Sequence, residues 1–134
     1  MILPNGAIVA VLDGEKMRIL RNKGHEPRIE LIELPAPNLE EVSGGSGGRH
    51  RSSTANPDIA RLAEDDFAAA AAAYLNREAL AGSFQHVVIV ADPRTLGELR
   101  RHFHPTLSGK LVGQIDRDLA KHSAEAIKTA IVAA

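Results

Sequence analysis

Ala7-Ile8-Val9-Ala10-Val11-Leu12 is apolar at every position, the pattern of a strand covered on both faces rather than one half-exposed to water. Asp13-Gly14 follows at once and predicts a hairpin turn. Beyond it, Lys16-Met17-Arg18-Ile19-Leu20-Arg21 and Arg28-Ile29-Glu30-Leu31 mostly alternate, with Asn22-Lys23-Gly24-His25 between them. The chain therefore opens as a three-stranded antiparallel meander. Apolar residues at 29 and 31 followed by 32 and 34 break the period of two, which fits either a β-bulge near Leu31 or a strand that switches faces.

Leu34-Pro35-Ala36-Pro37 ends the third strand, because proline removes a ladder donor. No periodic pattern resumes before about Ile59, so a long loop is expected over about 35–58. Phe67, Ala71, Tyr74, Leu75 and Ala79 then fall at helical spacing, with Glu64, Asp65 and Asp66 upstream and Gly82 as the stop. Acids favour a helix N-terminus and glycine its end. Gln85 to Ala91 reads as a central strand, and Asp92-Pro93 supplies an N-cap and a first-turn proline for a helix carrying Leu96, Leu99 and Phe103. Lys110 to Ile115 is the fifth strand, and Ser123 caps a last helix presenting Ile127, Ala130 and Ile131.

Right-handed crossovers place the fourth and fifth strands parallel to the first and give the sheet order 3-2-1-4-5. The expectation is one α/β domain over residues 1–134: a ribonuclease H-like mixed five-stranded sheet with helices packed on its faces.

Composition narrows the chemistry. At 134 residues the chain is long enough to bury a core without covalent staples. It has no cysteine, which excludes disulfides, Cys-type zinc sites and thiol nucleophiles. Sixteen basic against seventeen acidic side chains leave non-specific attraction to nucleic acid weak overall, so any such binding must be local. Three Phe, one Tyr and no Trp offer few platforms for stacking bases. Residues 1–6 lack the basic and apolar regions of an export signal, and the apolar runs Ala7 to Leu12 and Phe67 to Leu75 fall far short of a membrane span. A soluble, cytoplasmic protein without membrane insertion is expected. Nothing in the pattern assigns an oligomeric state.

Ala7 to Gly14, the strand Val87 to Asp92 with Pro93, Arg94 and Leu96, and Val112-Gly113-Gln114-Ile115-Asp116-Arg117-Asp118-Leu119 together resemble the bacterial family described as required for attachment to host cells. The likeness covers most of the chain. That family is in turn similar to the middle domain of archaeal and eukaryotic peptide-chain release factors, in which a Gly-Gly-Gln loop between the third strand and the first helix enters the peptidyl-transferase centre. Gly44-Gly45-Ser46-Gly47-Gly48-Arg49 stands in the corresponding interval. Ser46 follows the glycine pair, and the only glutamines, Gln85 and Gln114, lie on predicted strands. The resemblance thus implies the fold and a translation context, but not peptidyl-tRNA hydrolysis.

Two constellations carry candidate chemistry. Gly44, Gly45, Gly47 and Gly48 with Arg49, His50 and Arg51 combine backbone N–H groups that can face an anion with cations that can pair with phosphate; the same composition also suits a solvated linker. Asp13, Asp92 and Asp116 end the first, fourth and fifth strands in the expected order, at the edge where open α/β sheets bind ligands, and clustered carboxylates can hold Mg²⁺. Each also has a local explanation as a turn, N-cap or strand-exit residue. His102 and His104, two apart, face away from each other on a helix and are read as last-turn partners of its dipole. Arg94, Arg100 and Arg101 form a basic strip or an ordinary solvated face. No nucleophile elbow, P-loop, dinucleotide fingerprint or metalloprotease motif is present.

The reading is a non-catalytic binding protein needing no cofactor, with the ribosome or tRNA as partner of its glycine-rich basic loop. A metal-dependent phosphoesterase using Asp13, Asp92 and Asp116, and a protein-interaction module that affects attachment indirectly, are the alternatives.

Overall fold

Strands β1 (Ile8–Leu12), β2 (Met17–Asn22), β3 (Leu31–Leu34), β4 (Val87–Ala91) and β5 (Leu111–Ile115) form one mixed sheet in the order β3-β2-β1-β4-β5. The computed structural model describes residues 1–39 and 57–134. Pairing is antiparallel from β1 to β2 and from β2 to β3, and parallel from β1 to β4 and from β4 to β5. The sheet is thus mixed in the expected order. Helices α1 (Pro57–Leu80), α2 (Pro93–Arg100), α3 (Pro105–Lys110) and α4 (Ala124–Ala133) cover its faces.

Every residue of β1 and β4 is buried, which is why both segments are apolar throughout. Ile8, Ala10, Leu12, Ile89 and Ala91 meet Ala68, Ala71, Ala72 and Leu75 of α1, together with Leu96, Leu99 and Leu107. Val9, Val11, Val88 and Val90 meet Ile127, Ala130 and Ile131 of α4 on the other face. Each fully buried branched side chain contributes roughly 1.5–3 kcal/mol relative to exposure. The alanines of α1 contribute less by area but let the helix backbone approach the sheet closely.

Local signals explain the helix ends. Gly82, at φ +76°, closes α1, with the Gly82 N–H donating to Ala79 O at 3.2 Å and the Ser83 N–H to Glu78 O at 3.0 Å. This paired arrangement satisfies carbonyls that the helix leaves open, and the left-handed backbone favours glycine. Asp92 caps α2 by accepting from the Thr95 N–H at 3.1 Å, and Ser123 caps α4 through the Ala126 N–H at 3.2 Å.

Two expectations are corrected. The third strand pairs over Leu31–Leu34 rather than from Arg28, and its register with β2 runs unbroken from Asn22↔Leu31 to Ile19↔Leu34. It needs no bulge. Ile29 and Leu31 join the α4-side core while Leu34 packs on the α1 side, so the apolar pattern reflects a sheet covered on both faces. Second, the helix after β4 stops at Arg100, and a separate helix begins at Pro105. Proline forces the residue before it out of the helical region. His104 is accordingly extended, and its Nδ1 accepts from the Thr106 N–H at 3.0 Å. It starts a helix instead of ending one.

Arg18 fastens the meander to the opposite end of the chain. Its Nε and Nη2 donate to the two Glu33 oxygens at 2.8 and 2.7 Å, while Nη1 donates to Ala120 O at 3.1 Å and His122 O at 2.6 Å. The hydrogen bond from Arg18 holds the Glu33 carboxyl below its ordinary value. A carboxyl depressed in the folded state stabilises above its unfolded pKa of about 4.3 and loses that contribution as pH falls through the folded value. Glu33→Gln should therefore lower stability at pH 7 by less than about 1 kcal/mol, since the pair is partly screened by solvent. The difference from the parent protein should shrink as pH falls below the unfolded carboxyl value in urea unfolding curves; a difference that does not change with pH would show that the charge is not what matters.

Candidate nucleic-acid interface

The carboxyl ends of β1, β4 and β5 share one edge of the sheet, and β3 runs toward the same edge. The chain leaves β3 through Ala36, Pro37, Asn38 and Leu39, which share a cavity lining with Glu15 and Lys16 of the first turn and Met17 of β2. With Asp66, Phe67 and Ala70 of α1 they surround an open cavity of about 490 Å³. Met17, Leu39 and Phe67 are apolar parts of its lining, and Glu15, Lys16 and Asp66 charged ones. The segment leading toward residue 40 thus stands beside a ligand-sized space at the edge where open α/β sheets place their ligands.

Gly44, Gly45, Gly47, Gly48, Arg49 and Arg51 lie outside the described residues, as do Ser46 and His50.

The three aspartates share the expected edge. Leu12 lies opposite Ala91 and Val90 opposite Ile115, so Asp13, Asp92 and Asp116 follow the ends of neighbouring strands. Their oxygens have local duties. Asp13 Oδ1 accepts from the Glu15 and Lys16 N–H groups, both at 2.7 Å. Asp92 accepts from the Thr95 hydroxyl at 2.7 Å as well as from its N–H. Asp116 is exposed. Among the described residues, no group of three His, Asp or Glu side chains is arranged to hold a metal ion.

The basic strip on α2 is largely partnered. Arg94 pairs with Asp65 at 2.8 Å, tying α2 to α1. Arg100 Nε donates to Gln114 Oε1 at 2.6 Å. Arg101 and His102 both lie against Glu98, at 3.3 and 3.2 Å. These pairs are exposed or half-exposed, so each contributes little to stability, but a phosphate would have to compete with them. His86 is exposed, and its carbonyl accepts from the Ile8 N–H at 2.9 Å, a structural position at the entrance of β4. Lys16, Asp66 and Phe67 were read from the sequence only as strand and helix positions, since only folding brings them to one cavity.

A mixed five-stranded sheet in the order 3-2-1-4-5 with helices on its faces defines an α/β fold. The chain belongs to bacterial archaeo-eukaryotic release factor family 12, whose model matches residues 6–131. No curated protein matches the chain. Among the described residues no helix is long and apolar enough to cross a membrane.

Proposed function

We propose that this protein is a non-catalytic, cytoplasmic binding protein of the translation apparatus, contacting RNA phosphate on the ribosome or on tRNA through Gly44, Gly45, Gly47, Gly48, Arg49 and Arg51. Membership of a release-factor family, whose model matches residues 6–131, is the observation that carries this reading. The chemistry agrees with it: successive glycine N–H groups can line an anion, and two arginines can hold phosphate oxygens. Ser46 in place of the release-factor glutamine favours binding over peptidyl-tRNA cleavage. Any effect on host attachment then follows indirectly, through translation.

Ribosomes purified at low salt from cells carrying the tagged protein should retain it, and rising salt should release it. Arg49→Ala/Arg51→Ala should weaken retention and, by removing two phosphate contacts, flatten the dependence of log affinity on log salt by roughly 1.5. Retention unchanged in the variant, or none at low salt, would defeat the proposal.

A further inference from the structure

The cavity at the carboxyl edge is lined by chain from both sides of the glycine-rich interval: residues 36–39 before it, and Ala63, Asp66, Phe67 and Ala70 after it. Positions 63, 66, 67 and 70 are spaced as one face of α1, and Glu15, Lys16 and Met17 complete the lining. Contacts outside the cavity set its shape. Asp13 Oδ1 holds the Glu15 and Lys16 N–H groups, Met17 pairs with Leu12, and a Cβ on Gly14 would lie 2.8 Å from Glu64 Cγ. The β1–β2 turn therefore rests directly on α1, and the gap is built before any ligand arrives.

Size, polarity and charge narrow the occupant. At about 490 Å³ the space falls in the range of small-molecule sites and is about three times the ~150 Å³ cavity that accepts benzene, room for a bicyclic ring with a sugar attached. Met17, Leu39 and Phe67 are its largest apolar side chains, which suits a ring. Two carboxylates, Glu15 and Asp66, stand against one ammonium, Lys16, so a phosphate inside would be repelled where a neutral ring would not. Phe67 is the aromatic residue of this edge. Tyr74 and Phe84 line a smaller space elsewhere, and Phe103 packs against the core without entering the lining. Phe67 is partly buried against the core and also lines the cavity, combining a fixed position with accessible surface. Unpaired bases are recognised by stacking on such side chains.

We propose that this cavity takes one unpaired nucleobase of the bound RNA, stacked on Phe67, with its phosphates outside and Lys16 donating to a ring nitrogen or carbonyl oxygen of the base. The subsite rests on the RNA-binding reading and deepens it, adding a base contact to the phosphate contacts of the glycine-rich interval.

Adenosine, which has no phosphate, is the direct probe, titrated into protein labelled with ¹³C at the methyls of its two methionines. Met17 lines the cavity whereas Met1 lies against Gly113 of β5. Ring currents from a bound base should move the Met17 signal saturably and leave Met1 in place. Phe67→Leu keeps an apolar side chain and should weaken adenosine roughly tenfold, with the amide spectrum away from the cavity unchanged to show an intact fold. Tetraadenylate should bind more tightly than adenosine at low salt, and that advantage, but not the affinity of adenosine itself, should fall as salt rises. The two readings fail separately. No saturable Met17 shift, equal movement of Met1, or undiminished binding to Phe67→Leu overturns the base subsite even where ribosomes retain the protein. A Met17 shift with no gain for tetraadenylate overturns the phosphate contacts, and with them the RNA origin of the base.

Discussion

Asn22→Leu is expected to lower the free energy of unfolding by about 3–5 kcal/mol, because it strands several buried polar groups at once. Asn22 is fully buried. Its Nδ2 donates to Leu3 O at 3.0 Å and Pro4 O at 3.2 Å, and its Oδ1 accepts from the Gly24 and Glu30 N–H groups, both at 2.9 Å. One side chain thus joins the N-terminal segment, the second turn and the approach to β3. The turn around it is tightly built: a Cβ on Gly24 would lie 2.6 Å from Arg28 O, so the backbone has no room to shift and find replacement partners. Leucine has as many side-chain heavy atoms as asparagine but is bulkier and supplies no donor or acceptor, leaving two N–H groups and two carbonyls without it. Against a typical total of about 5–15 kcal/mol, this loss brings the domain close to unfolding. Urea denaturation should show a lower midpoint with an unchanged slope. Asn22→Asp makes a sharper control. It keeps the acceptors for Gly24 and Glu30 but turns a carboxylate toward two carbonyls, raising the carboxyl's folded-state pKa. A raised carboxyl pKa means the folded state binds the extra proton, so this variant should regain stability as pH falls from 7 toward 5. An unfolding free energy for Asn22→Leu within about 1 kcal/mol of the parent would mean the hub is dispensable.

The same residue shows what the chain states openly and what it withholds. Asn22 was legible as a turn residue from its neighbours Lys23 and Gly24, but its partners Leu3, Pro4 and Glu30 come to it only through folding. The all-apolar runs of β1 and β4 announced two central strands, because a strand buried on both faces has no reason to alternate. Asp92-Pro93 and Ser123 carried their helix starts in local chemistry alone. The short α3 was missed because Leu96, Leu99 and Phe103 continue a helical spacing across the break; Pro105 was the available signal, and its effect on His104 is the physical reason for the break. At the candidate site, topology alone was enough to place Asp13 and Asp92 on one edge, and their turn and cap hydrogen bonds follow from residue type. The cavity beside Lys16 and Phe67 was not legible, since its walls come from a hairpin turn, a post-strand segment and a helix far apart in sequence.

Ala72→Leu is expected to destabilise by about 1–3 kcal/mol or more, whereas Ala73→Leu, one residue along the same helix, should stay within about 0.5 kcal/mol of the parent. The contrast follows from the stripe on α1. Ala68, Ala71, Ala72, Leu75 and Ala79 are buried in the core against the sheet, while Ala73 is exposed. Six consecutive alanines read from sequence as helix that suits close packing, without saying which of them pack. The structure assigns that role to Ala68, Ala71 and Ala72, opposite β1 and β4 of their own chain. A leucine at 72 must either push α1 away from Ile89 and Ala10 or force its neighbours off their preferred rotamers, because interiors are packed near crystal density and leave little free volume. Moving α1 would also disturb its end, where Lys110 Nζ donates to Ala79 O at 2.8 Å and Phe84 O at 3.0 Å and Asn76 bonds His102 O at 2.8 Å and the His104 N–H at 2.9 Å. Thermal unfolding of the two variants side by side checks the ranking. Equal melting temperatures would mean that the helix does not lie as close to the sheet as its alanines permit, and the fixed spacing between α1, the β1–β2 turn and the cavity at the carboxyl edge would lose its basis.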